Sequence, residues 1–340
     1  SEKLIPFSSI NEKILYKYSQ LINSSSYKVN DTEFGYFILN CGKRKELVPV
    51  WVIFIKESTK EKEYEYQELY NRRGDCLMKN FFKYARVDFY RAICSRRFII
   101  GVVGVFLCMC LGMCVDGGYN ISVLYVFDAV TYGIPFLLVT IFSAFPYAIS
   151  IQDDEKNGYM YLLISRGNII SYTFSKCCVI SISSILTIVL GVLCFVVMCK
   201  MGLPWIADND TTFEILSQYG GLRFFLINQK FILYYILYAL QYGILTALLS
   251  MLSTLISLFV SDQFLIFTIP IISFYIVSFF VNQIFRNNTA DLYNIFNASV
   301  NIWNDDMKSY FYAISIGAVG FAILTILISS RILRKVKKND

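Results

Sequence analysis

Six long apolar stretches, at 98–115, 133–151, 177–199, 231–260, 264–281 and 312–330, constrain this chain more than any motif does. Each is close to or above the ~18–20 residues that cross a bilayer's hydrocarbon at ~1.5 Å per residue. Lipid offers backbone N–H and C=O groups no partners, so a spanning segment must satisfy them internally; the expectation is an all-α membrane protein with six transmembrane helices. Only 16% of residues are charged and 56% are hydrophobic, against ~25% charged in soluble domains. That gap excludes a soluble enzyme of this length.

The chain has no histidine, which removes Ser-His-Asp and Cys-His nucleophile pairs and every histidine metal ligand. There are ten cysteines but no CxxC pair, and most (Cys108, Cys110, Cys114, Cys177, Cys178, Cys194, Cys199) fall within the spans. They read as small apolar fillers, and no metal site is expected. The abundance of Ile, Lys, Asn, Tyr and Phe points to an AT-rich, bacterial genome.

Charge sets the expected orientation. Before the first span stand Lys79, Lys83, Arg86, Arg91, Arg96 and Arg97 against one acid, Asp88; after the last come Arg331, Arg334, Lys335, Lys337 and Lys338. Positive flanks stay in the cytoplasm, so both termini are expected inside a cell membrane, and six spans give the even number this requires. The connection 152–176 then falls inside, while 116–132, 200–230 and 282–311 fall outside, with Trp205 and Trp303 as interface anchors. The net charge of +6 is a topology signal; no nucleic-acid motif accompanies it, and no nucleic-acid partner is expected.

Residues 1–77 differ from the rest: polar, without a span or signal peptide. A short helix around 10–21 and two strand-like runs, 34–40 and 47–55 joined by a basic turn at 41–46, make this a small α+β segment. The run Asn71-Arg72-Arg73-Gly74-Asp75-Cys76-Leu77-Met78 can be encoded by an AGGAGG-type tract upstream of ATG. On that reading Met78 opens a separate frame and 1–77 is the tail of a neighbouring protein fused in frame; the alternative is that Arg-Arg-Gly-Asp arose by chance. The division expected is 1–77 and a six-span domain, 78–340.

Residues 79–97 have helical spacing, with Phe82, Ala85, Phe89 and Ile93 on one face. They read as an amphipathic helix lying in the membrane surface, or as the charged start of the first span. The connection 152–176 reads QDDEKNGYMYLLISRGNIISYTFSK. Its acids, Asp153, Asp154 and Glu155, precede an apolar run, 159–164, which is a patch that wants a partner surface or the bilayer itself. A second short helix, 168–176, should lead into the third span.

In this connection Glu155-x-x-Gly158, then Leu163-x-Ser165-Arg166, then Tyr172 and Lys176 resemble the cytoplasmic loop of ABC-2-type permeases. The span count, the basic amphipathic start and the length from Met78 are also similar, so the resemblance covers 78–340. It departs at Gly167, where such chains often carry proline. The resemblance implies a transport subunit with no ATPase of its own and no bound cofactor. A separate ABC-type ATPase subunit would bind ATP and Mg and dock under the 152–176 connection, and a second permease copy or a homologous permease would complete the unit. In agreement, no GxxxxGK[ST] occurs; Gly42-Lys43 is followed by Arg44.

Within the fourth span Tyr234, Tyr238 and Tyr242 recur at helical spacing with Gln241 beside them, and Ser250, Ser253 and Ser257 continue the stripe. Such a stripe lines a substrate route at a subunit interface or glues helices together. Gly101 and Gly104, and Gly317 and Gly320, permit close helix approach. No Asp, Glu, Lys or Arg stands deep in a span, which disfavours an ion-driven carrier. The leading expectation is the permease of an ATP-driven exporter for an amphipathic peptide, drug or lipid-like molecule. The alternative is a non-transporting membrane scaffold or sensor that uses its extracellular loops.

Overall fold

The computed structural model describes residues 27–41, 44–57, 81–82, 84–116, 122–160, 169–207, 210–285 and 291–339. The chain forms two compact units, Ser1–Asn71 and Arg72–Asp340. In the first, strand β1 (Tyr27–Cys41) pairs antiparallel with β2 (Arg44–Glu57), from Tyr27 opposite Glu57 to Cys41 opposite Arg44, with one irregularity between Val29 and Asp31. The strands run beyond the two stretches expected from sequence. The helix expected around 10–21 lies outside the described residues, as does the 71–78 junction.

The second unit is helical: α1 (84–93), α2 (Arg96–Asp116), α3 (Val123–Tyr132), α4 (Ile134–Leu137), α5 (Val139–Ala144), α6 (Ser150–Lys156), α7 (Ile169–Gly202), α8 (Thr211–Tyr219), α9 (Arg223–Ile227), α10 (Phe231–Ser257), α11 (Gln263–Phe285), α12 (Leu292–Phe296) and α13 (Asp306–Asn339). Five of these, α2, α7, α10, α11 and α13, are long and apolar enough to cross a membrane. They correspond to the first, third, fourth, fifth and sixth stretches of the sequence.

The second stretch, 133–151, is not one helix. Gly133 is extended (φ −73°, ψ 153°) and Pro135 stands in the first turn of α4, so α4–α5 leave α3 at 79°. Proline has no N–H to give to a preceding turn and its ring collides with it, whereas it fits the start of a new helix. The chain turns again at 145–149, through Pro146, before α6. Counted as one broken crossing, α3 with α4–α5 makes a sixth span. Residues 123–132, expected in an outer loop, are therefore helix, with Val123, Leu124, Val126, Phe127 and Val130 buried.

Helix α10 occupies the centre, against α5, α6, α7, α11, α12 and α13. Glycines set the closest approaches. A Cβ on Gly104 would collide with the Phe142 ring on α5, and Cβ atoms on Gly317 and Gly320 of α13 would meet Ile244 and Leu248, one turn apart on α10. On the periphery α11 turns Phe264, Tyr275, Phe279 and Phe280 outward, as lipid-facing helices do. The long connections after α7 and α11 fold into a layer at one end. There the Gly221 N–H donates to the Ser299 carbonyl (3.1 Å), Arg223 pairs with Asp306 (3.1 Å) and reaches the Asn304 carbonyl (2.7 Å), and the Ser122 hydroxyl donates to Asp210.

Candidate functional site

The opposite end of the unit holds a buried ionic network built from four elements. Its centre is Lys176, 0% exposed on α7. An ammonium out of water is costly unless each proton has a partner. Its three protons go to Asp154 Oδ2 (2.7 Å), Asp88 Oδ1 (2.9 Å) and the Tyr147 hydroxyl (3.1 Å). Tyr147 in turn donates to Asp88 Oδ1 at 2.6 Å, and Tyr172, one turn before Lys176, donates to Asp154 Oδ2 at 3.1 Å. Arg91, one turn after Asp88 on α1, donates to Asp154 Oδ1 at 3.4 Å and completes the charge balance. Burial, and then the Asp88 carboxylate beside it, push the Tyr147 phenol above its ordinary range, so it stays a neutral donor.

This network stands where α7 outruns a membrane. A helix of 34 residues is about 51 Å long, well over the ~30 Å of hydrocarbon. The apolar stretch of α7 begins at Cys177, so Tyr172 and Lys176 lie in the turns before it. The short helix expected at 168–176 is thus the first two turns of α7.

Helix α6 ties this end together. Four consecutive residues, each turned about 100° from the last, reach four different elements. Gln152 Nε2 donates to the Val260 carbonyl after α10 (2.9 Å), Asp153 accepts from Arg97 on α2 (2.9 Å), Asp154 holds Lys176 and Tyr172 on α7, and Glu155 accepts from Lys335 on α13 (2.6 and 2.8 Å). Just beyond, Gly158 has φ +70°, with open space where a Cβ would stand. The glycine serves the backbone turn, not a tight contact.

Of the residues singled out in the 152–176 connection, Glu155, Gly158, Tyr172 and Lys176 belong to this end, whereas Leu163, Ser165 and Arg166 lie outside the described residues. Tyr172 and Lys176 are buried, so they support the connection from within and are not themselves a docking surface. Sequence reasoning passed over Gln152, Tyr147 and the pairing roles of Asp88 and Asp154. The available signals were Asp88 as the lone acid in a basic stretch with Arg91 one turn on, and the Tyr172/Lys176 pair at i, i+4.

The fourth-span stripe runs along α10 from the other end toward this one and is buried throughout: Tyr234, Tyr238, Gln241, Tyr242 and Ser250 are each at most 4% exposed. Tyr238 donates to Asn297 Oδ1 (2.9 Å), Gln241 to the Ile295 carbonyl (2.8 Å), and Ser250 shares a hydrogen bond with Ser184 on α7 (3.1 Å). Phe127 of α3 sits edge-on to both Tyr235 and Tyr238 (4.8 and 4.9 Å), and Phe136 packs on Tyr242 (4.6 Å). Inside this chain the stripe fastens α10 to α3, α7 and the 291–299 segment. Among the described residues no group of three or more Cys, Asp or Glu is arranged to hold a metal ion. Comparison with protein-family models, with curated proteins and with solved structures finds no match for the chain.

Proposed function

We propose that 78–340 is the membrane-spanning permease subunit of an ABC-2-type transporter, which exports or expels an amphipathic peptide, drug or lipid-like substrate. The observation that carries this reading is the radial grip of α6. A force applied to the 152–176 connection passes through Gln152, Asp153, Asp154 and Glu155 to the ends of four other helices at once. A subunit without a nucleotide site needs such a transmission if ATP, with Mg, is hydrolysed on a separate ATPase docked beneath that connection. Docking would then bias the bundle between inward- and outward-open states by differential binding. A second copy of the chain, or a homologous permease, would complete the pathway, with both termini in the cytoplasm.

The first test is whether an ABC-type ATPase encoded beside this chain co-purifies with it when the two are co-expressed. Glu155→Gln and Arg97→Gln are expected to abolish most permease-stimulated ATP hydrolysis while leaving membrane insertion and association intact. Arg166→Gln is expected to weaken association itself. A chain that binds no ATPase, or variants that hydrolyse ATP like wild type, would remove the reading.

A second reading, a non-transporting scaffold or sensor, is favoured by the folded layer that joins 210–228 to 291–306. A ligand that alters amide exchange in that layer in the absence of any ATPase would support it.

A further inference from the structure

Helix α1 is packed inside out. It turns its acid, Asp88, and Ala92 inward and leaves Val87 and Tyr90 exposed, Tyr90 by 71%. Its outer face carries a mostly apolar groove of about 530 Å³ lined by Val87, Phe89, Tyr90 and Ile93, with Arg86 beside them. Arg91 forms one wall of that groove and also one wall of a second cavity, of about 280 Å³, lined by Arg96, Arg97, Ser150 and Asp153.

The second cavity is short of one anion. Its wall carries three cations, Arg91, Arg96 and Arg97, and one carboxylate, Asp153; behind the wall Lys176, Asp88 and Asp154 form the buried network that Arg91 closes. Arg97 is held by Asp153, and Arg91 and Lys176 share the other two acids; Arg96 has no ion-pair partner among the described residues. On the cavity wall Ser150 is only 7% exposed, yet its Oγ has no hydrogen-bond partner among the described residues. A buried hydroxyl left unpaired costs free energy unless something fills the place.

We infer that the two cavities together form a binding site for an anionic phospholipid, its phosphate between Arg96 and Ser150 and its acyl chain in the groove beside Arg91. One phosphodiester charge offsets the unpaired Arg96, and its oxygens accept from the guanidinium and the serine. A free phosphate would use the basic cavity alone; the adjoining apolar groove selects the lipid. The inference depends on membrane embedding and not on an ATPase partner.

The test is native mass spectrometry of the purified, delipidated full chain titrated with phosphatidylglycerol and with phosphatidylcholine. Wild type is expected to prefer phosphatidylglycerol. Arg96→Gln should cut that affinity about fivefold, the worth of one basic side chain at an anionic surface. Ser150→Ala, a minimal change that keeps the fold if the arginine variant does not, should also weaken it. Tyr90→Ser should weaken both lipids, and excess inorganic phosphate should not displace them. Equal binding of the two lipids, or unchanged binding in both phosphate-site variants, would overturn the inference. So would full displacement by inorganic phosphate with Tyr90→Ser silent, which marks a free-anion pocket.

Discussion

Lys176 illustrates what a single side chain can enforce. It stands two turns into a largely apolar helix, and it holds two carboxylates and a phenol from three other elements. Lys176→Met would leave Asp88 and Asp154 buried with only Arg91 between them. The expected cost is about 3–5 kcal/mol, because a broken buried pair strands charge. Thermal unfolding in detergent checks this, and adding Asp88→Asn and Asp154→Asn should recover part of the loss. A single variant as stable as wild type would mean that the network is wet and weak. The sequence marks Lys176 through a resemblance and through its i, i+4 spacing from Tyr172. Its partner Asp88 is 88 positions away, and no local pattern announces a contact at that separation.

At the level of elements, packing depends on where glycine stands. Gly104 lets α2 press on Phe142, so Gly104→Val is expected to cost about 1–3 kcal/mol through overpacking. Gly202 faces open space where a side chain would begin, and it should accept alanine within about 0.5 kcal/mol. Denaturation midpoints of the two variants, measured side by side, separate packing from helix propensity. Gly158→Ala is a third case: the space is open but the backbone is left-handed, and about 1 kcal/mol of strain is expected. The glycine pairs in the first and last spans are visible in the sequence as spacing, and the structure supplies their neighbours. The break of the second span is also written in the chain, as Gly133, Pro135 and Pro146. The continuous hydropathy of 133–151 conceals it, because hydropathy records apolarity and not the missing N–H that ends a helix.

For the molecule as a whole, the two ends of the helical unit are built differently. One end is ionic and gathers α1, α2, α6, α7 and α13; the other is a folded layer held by hydrogen bonds and aromatic packing. Arg223 joins the two halves of that layer through Asp306 and the Asn304 carbonyl. Arg223→Ala is expected to raise amide exchange several-fold in 218–228 and 297–306 while leaving α10 protected. Equal exchange across the layer in variant and wild type would show that the halves hold without it.

Composition and hydropathy by themselves determined that the part of the chain from 98 to 330 is helical and built for lipid. Five segments long enough to cross follow because an uninterrupted apolar run of about 20 residues satisfies its own backbone in hydrocarbon only as a helix. Only the tertiary structure decided which polar residues meet. The side chains of 152–155 point in four directions because a helix turns about 100° per residue, and what stands in each direction is set by long-range packing. The fourth-span stripe shows the same division: its period is in the sequence, while its burial against α3, α7 and the 291–299 segment is a property of the assembled bundle.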